Sequence, residues 1–204
     1  MKTVSRIWLG ARRSLRNLAR DNSGIAATEF AVIVPIMLVM YFGTVEFSSG
    51  VAVDRKVTLL ARTLSDLTSQ SISVADADVT NFFTASGKIL SPYAPTPTHA
   101  KISALYVDPA TLQARVQWSK SATFDSSGNA TVTSGRAVSS TVAIPSALAV
   151  AGTYLIFSEV SYLYVPTIGY VMAKAGVNLS DVSYTRPRQS TCVYYSPATA
   201  CTTL

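Results

Sequence analysis

The sequence predicts an α+β protein in which one long N-terminal helix packs on a small antiparallel β-sheet domain. Three observations predict this class. An apolar run extends from Ile25 to Phe47, an amphipathic helical repeat follows it to about residue 70, and segments rich in β-branched and aromatic residues recur between residues 101 and 185. A chain of 204 residues has room for one modest domain and a membrane segment.

The basic residues are concentrated ahead of the apolar run. Residues 1–24 have a net charge of +5, whereas the remaining 180 residues contain 11 basic and 10 acidic side chains. A nucleic-acid-binding surface needs Lys and Arg clustered on the folded part of the chain, so we expect no nucleic-acid partner. The positive-inside rule predicts that residues 1–24 stay in the cytoplasm and that the C-terminal part crosses the membrane.

Residues 25–47 are predicted to form a single transmembrane helix in contact with lipid. Glu29 and Glu46 are the only charges in these 23 residues. At ~1.5 Å per residue such a helix is ~35 Å long, which exceeds the ~30 Å of a bilayer core. Pro35 is tolerated more readily in a membrane helix than in an exposed soluble one. A cleaved secretory signal fits less well, because the run is long and no small-x-small site closes it.

Residues 48–70 continue this helix with an amphipathic pattern. Apolar residues spaced by 4, 3, 4 and 3 predict a stripe on one face of the helix; they are Val53, Val57, Leu60, Leu64 and Leu67. We expect this stripe to pack against the protein's own folded domain, which would comprise residues 71–204.

A second, shorter helix is predicted within residues 74–90. Asp76 or Asp78 would cap its start and Gly87 would end it. The proline-rich segment 91–100 is expected to be a connector.

Strand signals follow the connector. Residues 101–108 and 112–119 read as a hairpin, and residues 126–129 as a turn. Further strands are predicted at residues 137–144, where Pro145 ends the pattern, at residues 153–166, and around Val182 to Thr185. The expected result is an antiparallel sheet lying on the amphipathic half of the first helix.

Cys192 and Cys201 are the only two cysteines and lie nine positions apart. If the domain lies across the membrane, its compartment is oxidising and the two residues can form a disulfide, which we favour. Two free thiols are the alternative, and metal binding is disfavoured because no histidine is near.

The sequence does not predict an enzyme. His99, the single histidine, lies in the proline-rich connector, where a preorganised base is not expected. No catalytic triad, phosphate-binding loop or metal-ligand spacing is found, so we expect no cofactor and no metal. Arg186 and Arg188 flank Pro187 and are placed to bind a partner's carboxylate, although an ordinary surface role fits them equally.

Glu29 is the unusual residue of the apolar run. A charge at the centre of a membrane span costs about 2.5–3.5 kcal/mol, although a residue this close to the start can reach the headgroups. The stretch "SGIAATEF" at residues 23–30 resembles the processing site of type IV prepilins, in particular of the Tad (tight adherence) pseudopilins. In that family a basic leader ends in Gly, a prepilin peptidase cuts after it, and Glu is the fifth residue of the mature chain. Most Tad members have Glu-Tyr where this chain has Glu29-Phe30.

A second likeness lies near the C-terminus. "FSEVSYLYVPTIG" at residues 157–169 and "YTRPRQS" at residues 184–190 are similar to a Tyr-x-Tyr-x-Pro strand and an Arg-Pro-Arg element in TadE-like proteins.

The resemblance implies a pilin-like fold and a minor pseudopilin that takes part in assembling Tad (Flp, type IVc) pili for adherence. It implies that residues 1–24 are a leader removed after Gly24. The new amino group of Ile25 would then pair with Glu29 of a neighbouring subunit. The implied partners are the prepilin peptidase, other pseudopilins and the pilus-assembly platform in the bacterial inner membrane. The alternative is an uncleaved single-span inner-membrane protein with a periplasmic binding domain.

Overall fold

The computed structural model describes residues 23–166 and 175–201. Most of the predicted leader, residues 1–22, therefore lies outside the described residues. The chain divides into two compact units, Met1–Val45 and Glu46–Leu204. The architecture is α+β, as predicted, with a long N-terminal helix packed on an antiparallel sheet.

Two α-helices are described. Helix α1 spans Ser23–Ser69 and contains Pro35, and it ends within one residue of the predicted bound at residue 70. Helix α2 spans Asp76–Gly87. Ala75, and neither Asp76 nor Asp78, occupies the N-cap position of α2; Asp78 acts from the first turn, where its Oδ2 accepts the Ala75 backbone N–H at 2.9 Å. The carboxylates of the first turn are favourable there because they lie at the positive end of the helix dipole.

The main sheet has six strands. Five of them lie side by side in the order β4-β3-β2-β6-β7, and the sixth, β5, pairs with β3 along the same edge as β4. Their bounds are β2 Thr98–Val107, β3 Ala114–Phe124, β4 Ala130–Ser134, β5 Thr141–Val142, β6 Tyr154–Tyr164 and β7 Val177–Thr185. All of these pairs are antiparallel. A separate parallel pair joins β1 (Ser73–Val74) to β8 (Tyr194–Tyr195).

The strand predictions hold best where β-branched and aromatic residues are dense. The β2–β3 hairpin and β6 lie where they were predicted, although β3 extends to Phe124 and β7 is longer than predicted. Strand β2 begins at Thr98, so the prediction that His99 lies in the connector is wrong. The strand predicted at residues 137–144 is wrong except for Thr141–Val142. Ser139 has φ of 65°, and the Ser140 N–H donates to the Ala137 carbonyl at 3.2 Å, so the backbone turns there instead of extending.

The core of the second unit lies between α1, α2 and one face of the sheet. Val53, Val57, Leu60 and Leu64 are fully buried, and they pack with Ile102, Ile156 and Phe83 among others. Leu67, the fifth residue of the predicted stripe, is instead half-buried and outside this core.

The last turns of α1 meet the sheet through hydroxyl groups. Ser158 Oγ donates to the Ala61 carbonyl at 2.6 Å, and Ser65 Oγ lies 2.9 Å from Ser183 Oγ. A smaller apolar cluster on the opposite face of the sheet includes Leu105, Val116 and Phe157.

Candidate functional site

The first turns of α1 contain the residues that the sequence singles out. Gly24 and Ile25 are both helical and exposed, and Thr28 Oγ1 donates to the Ile25 carbonyl at 2.8 Å. A Cβ atom at Gly24 would meet nothing within 4 Å. The fold of the described chain therefore has no need for a glycine at this position.

Glu29 is exposed and is the only charged residue between Ser23 and Val45. Its neighbours one helical turn away are Ile25 and Ile33, which are 55% and 53% exposed. Within the described part of the first unit, no basic side chain is available to compensate the carboxylate. In a bilayer this residue therefore requires water, headgroups or a cation from elsewhere.

Apolar side chains cover every side of the described part of the first unit, from Gly24 to Val45. The exposed ones include Phe30, Val32, Ile36, Met37, Leu38, Val39, Met40, Tyr41 and Val45. A helix that is apolar all round is typical of a membrane span or of a helix surrounded by other helices. In the described chain this is the single helix long and apolar enough to cross a membrane, and none of its most apolar segment is buried within the protein.

Glu46 is a buried acid near the end of the predicted membrane span. It is 4% exposed, and Tyr164 Oη donates to its carbonyl at 3.4 Å. Burial and then the nearby Glu46 charge raise the pKa of Tyr164 above its ordinary value of 10.0. A Cβ at Gly50 would lie 3.6 Å from the Tyr164 ring.

A signal for this contact exists in the sequence. Continuing the buried stripe of Val53 and Val57 toward the N-terminus by steps of three and four reaches Gly50 and then Glu46. The stripe therefore begins inside the segment predicted as membrane span.

The two arginines near the C-terminus have different surroundings. Arg188 forms an ion pair with Asp66, and its backbone N–H donates to the Ser69 carbonyl at 2.8 Å. Arg188 thus closes the C-terminal end of α1, where helix carbonyls lack intrahelical partners. Arg186 is exposed.

Cys192 and Cys201 form a disulfide, with Cα atoms 5.9 Å apart. The segment that they enclose is tied to the sheet, because Trp118 Nε1 donates to the Val193 carbonyl at 2.7 Å. The Tyr195 hydroxyl donates to Asp76 Oδ1, and Lys120 Nζ lies 2.8 Å from the same oxygen.

A groove of about 620 Å³ crosses the sheet face opposite the helices. Hydroxyl residues of four strands line it together with His99, Lys101, Glu159 and Asp181. Arg136 holds Glu159 in a two-bond ion pair, with distances of 3.1 and 2.7 Å. Within residues 23–166 and 175–201, no group of three His, Cys, Asp or Glu side chains is placed to hold a metal ion.

Residues 24–64 match the family model described as TadE-like protein. The match comprises 41 of the 204 residues, begins at Gly24 and ends at the buried Leu64. It does not reach the C-terminal elements at residues 157–169 and 184–190. No curated protein and no solved structure matches the chain. The family match supports a TadE-like protein associated with the Tad pilus machinery, and the single apolar N-terminal helix fits a membrane-anchored protein.

Proposed function

We propose that this chain, which is TadE-like over residues 24–64, is the precursor of a minor pseudopilin of a Tad-type pilus. A prepilin peptidase cuts it between Gly24 and Ile25, and the mature chain takes part in pilus assembly. The observation that carries the proposal is the position of Gly24. The family match begins there, and packing within the described chain gives no reason for a glycine.

The proposed orientation follows from the charges. Residues 1–24, with their net charge of +5, face the cytoplasm, and the second unit lies in the periplasm. An oxidising compartment supports the Cys192–Cys201 disulfide.

Cleavage gives Glu29 its partner. The reaction frees an α-amino group on Ile25, and this cation pairs with the Glu29 carboxylate of a neighbouring pseudopilin. A carboxylate in an apolar surrounding is costly alone and much less so when paired, so the pair selects one axial stagger between adjacent helices. The role is passive: the protein is a peptidase substrate and a packing partner, and we propose no catalysis by its own residues.

N-terminal mass spectrometry of the membrane-extracted protein tests the processing step. We expect the chain to begin at Ile25 in cells that contain the prepilin peptidase and at the intact N-terminus in cells that lack it. An intact N-terminus in both strains would refute the proposal and favour the uncleaved anchored protein.

A Glu29→Gln variant tests the pairing. It keeps the size of the side chain and removes the charge, so we expect normal cleavage with loss of co-purification with other pseudopilins. Thr28→Val is the matched control, because the Thr28 hydroxyl bonds to a carbonyl of its own helix. Normal pili from the Glu29→Gln strain would exclude a role for the carboxylate in assembly.

A further inference from the structure

The open side of strand β7 is an edge of the main sheet. Within the described part of the chain, β7 pairs with β6 on one side and with no strand on the other. It is nine residues long, contains no proline and has one charged residue, Asp181. The opposite edge is formed by β4 and β5, which are five and two residues long. Sheet edges in monomeric proteins are usually short or protected, because they can pair with another chain.

The pairing register shows which groups of β7 face outward. The Leu163 N–H donates to the Pro97 carbonyl, immediately before β2, so odd-numbered residues of β6 bond toward β2 and even-numbered ones toward β7. Val160 pairs with Asp181, which makes the odd-numbered residues of β7 the ones bonded to β6. The outward N–H and C=O groups therefore belong to Asn178, Ser180, Val182 and Tyr184.

The Asp181 side chain accepts a hydrogen bond from the outward N–H group nearest the middle of this edge, that of Val182. Its Oδ1 accepts the Val182 N–H at 2.8 Å. The carboxylate thus satisfies one backbone donor in place of a partner strand, and it sets a negative charge at the centre of the edge.

The same charge disfavours pairing between two copies of the chain. In a two-fold antiparallel pairing with full overlap, Val177 faces Thr185 and Asp181 faces Asp181. Directly opposite Cβ atoms lie roughly 4.5–5.5 Å apart, where like charges are destabilising and opposite charges are favourable. The edge is therefore complementary to a different strand, one with a cation at its centre.

We propose that the outward edge of β7 takes an extended, antiparallel strand of a partner protein that carries Lys or Arg opposite Asp181. The partner's backbone bonds to the four outward residues, and its cation draws the carboxylate away from the Val182 N–H, which then joins the new ladder. Main-chain bonds supply affinity in this mode of recognition and the opposed charges supply selectivity. This surface is separate from the first turns of α1, and the proposal does not depend on cleavage at Gly24.

Peptide binding to the full chain in detergent micelles tests the proposal. The probe is a fluorescent nine-residue peptide of alternating Thr and Val with Lys at its centre, and the matched peptide has Glu there. We expect the Lys peptide to bind about tenfold more tightly, since attraction replaces repulsion at one cross-strand position. Amide exchange at the four outward residues should slow when the Lys peptide binds.

Two variants and one control test whether the peptide binds at the outward edge of β7. Val182→Pro removes an outward donor and no bond to β6, so the sheet should remain while binding is lost. Val182→Thr is its control and should bind normally. Asp181→Lys should reverse the preference toward the Glu peptide, which decides the matter even if Val182→Pro fails to fold.

Three results would overturn the proposal. They are equal binding of the two peptides, unchanged binding by a folded Val182→Pro variant, and sedimentation of the wild-type chain as a dimer that Val182→Pro dissociates. The last result would make a second copy the occupant of the edge.

Discussion

Gly24 and Gly50 both lie in the TadE-like segment of α1, yet their surroundings differ. Gly24 faces open space, whereas a Cβ at Gly50 would be in ordinary contact with the ring of Tyr164. A side chain at either position is compatible with the fold. Substitution at Gly24 therefore separates recognition by a peptidase from folding.

We predict that Gly24→Val abolishes processing and leaves the folded unit intact. A Cβ atom at this position meets nothing within 4 Å, so we expect the substitution to affect recognition by the proposed peptidase and not the fold. Immunoblotting for precursor and mature chains, together with circular dichroism, measures both properties. Gly50→Ala is the control and should be processed as wild type; processing of Gly24→Val at the wild-type rate would argue against cleavage at this residue.

A second residue-scale prediction concerns acid stability. The side-chain hydrogen bonds from Lys120 and then Tyr195 lower the pKa of Asp76 below its ordinary value of 3.8. A lowered carboxyl pKa stabilises the folded state above the unfolded pKa, and this contribution is lost as the pH falls through the folded-state pKa. We expect Asp76→Asn to be less stable than wild type at about pH 6, with the difference shrinking below about pH 4.

Urea unfolding across this pH range measures the effect. Asp54→Asn, at an exposed position of α1, is the control and should follow wild type. A pH-independent difference between wild type and Asp76→Asn would show that the charge of Asp76 is not the cause.

At the scale of elements, the two faces of α1 in the second unit have opposite environments. Leu60 is fully buried against the sheet, while its neighbour Leu59 is 52% exposed. We predict that Leu60→Ala lowers the free energy of unfolding by about 2–5 kcal/mol, because it removes buried methyl groups and leaves a cavity. Leu59→Ala should change it by less than about 0.5 kcal/mol.

Urea unfolding followed by the fluorescence of the buried Trp118 measures both variants. Equal losses for Leu59→Ala and Leu60→Ala would mean that α1 does not present the 60 and 64 face to the sheet.

The elements differ in how far local sequence predicts them. Helix α1 and strand β6 were predicted because their patterns are local: a stripe of period 3.6 and a dense run of β-branched and aromatic residues. Strand β4 has a weak signal, Thr131 to Thr133, and was missed. The pairing of β1 with β8 joins two dipeptides separated by more than a hundred residues, so no local pattern encodes it.

The residues of the candidate site also differ in whether the local sequence predicts them. Gly24, Ile25 and Glu29 were chosen from adjacent residues and a family resemblance. The contact between Glu46 and Tyr164 joins residues 118 positions apart, and the helical stripe points to Glu46 without showing which strand residue meets it. The bond from Val182 to Asp181 is local, but its place on a free sheet edge depends on which strands pair and in which register, and a sequence read one segment at a time does not contain that information.

At the scale of the whole molecule, the described chain consists of an apolar helical segment, residues 23–45, and a folded unit whose C-terminal segment is held by a disulfide. Loop-closure entropy assigns a bridge of this span about 2–3 kcal/mol. We therefore predict that Cys201→Ser lowers the free energy of unfolding by about that amount. Urea unfolding measures the effect. Dithiothreitol should lower the stability of the wild type to that of the variant and leave the variant unchanged. If dithiothreitol does not change the stability of the wild type, the disulfide contributes nothing to stability.

The closure of α1 by Arg188 also has a consequence for biosynthesis. Asp66 and Ser69 at the end of α1, and strand β1 just beyond it, all contact residues 188–195, which follow more than a hundred residues later in the chain. Helix α1 is therefore synthesised well before the residues that supply the contacts at its end. The end of α1 therefore cannot complete its contacts until residues 188–195 have been synthesised. A product truncated before residue 188 exposes this helix end to proteases, so the fold itself distinguishes chains that contain residues 188–195 from chains that lack them.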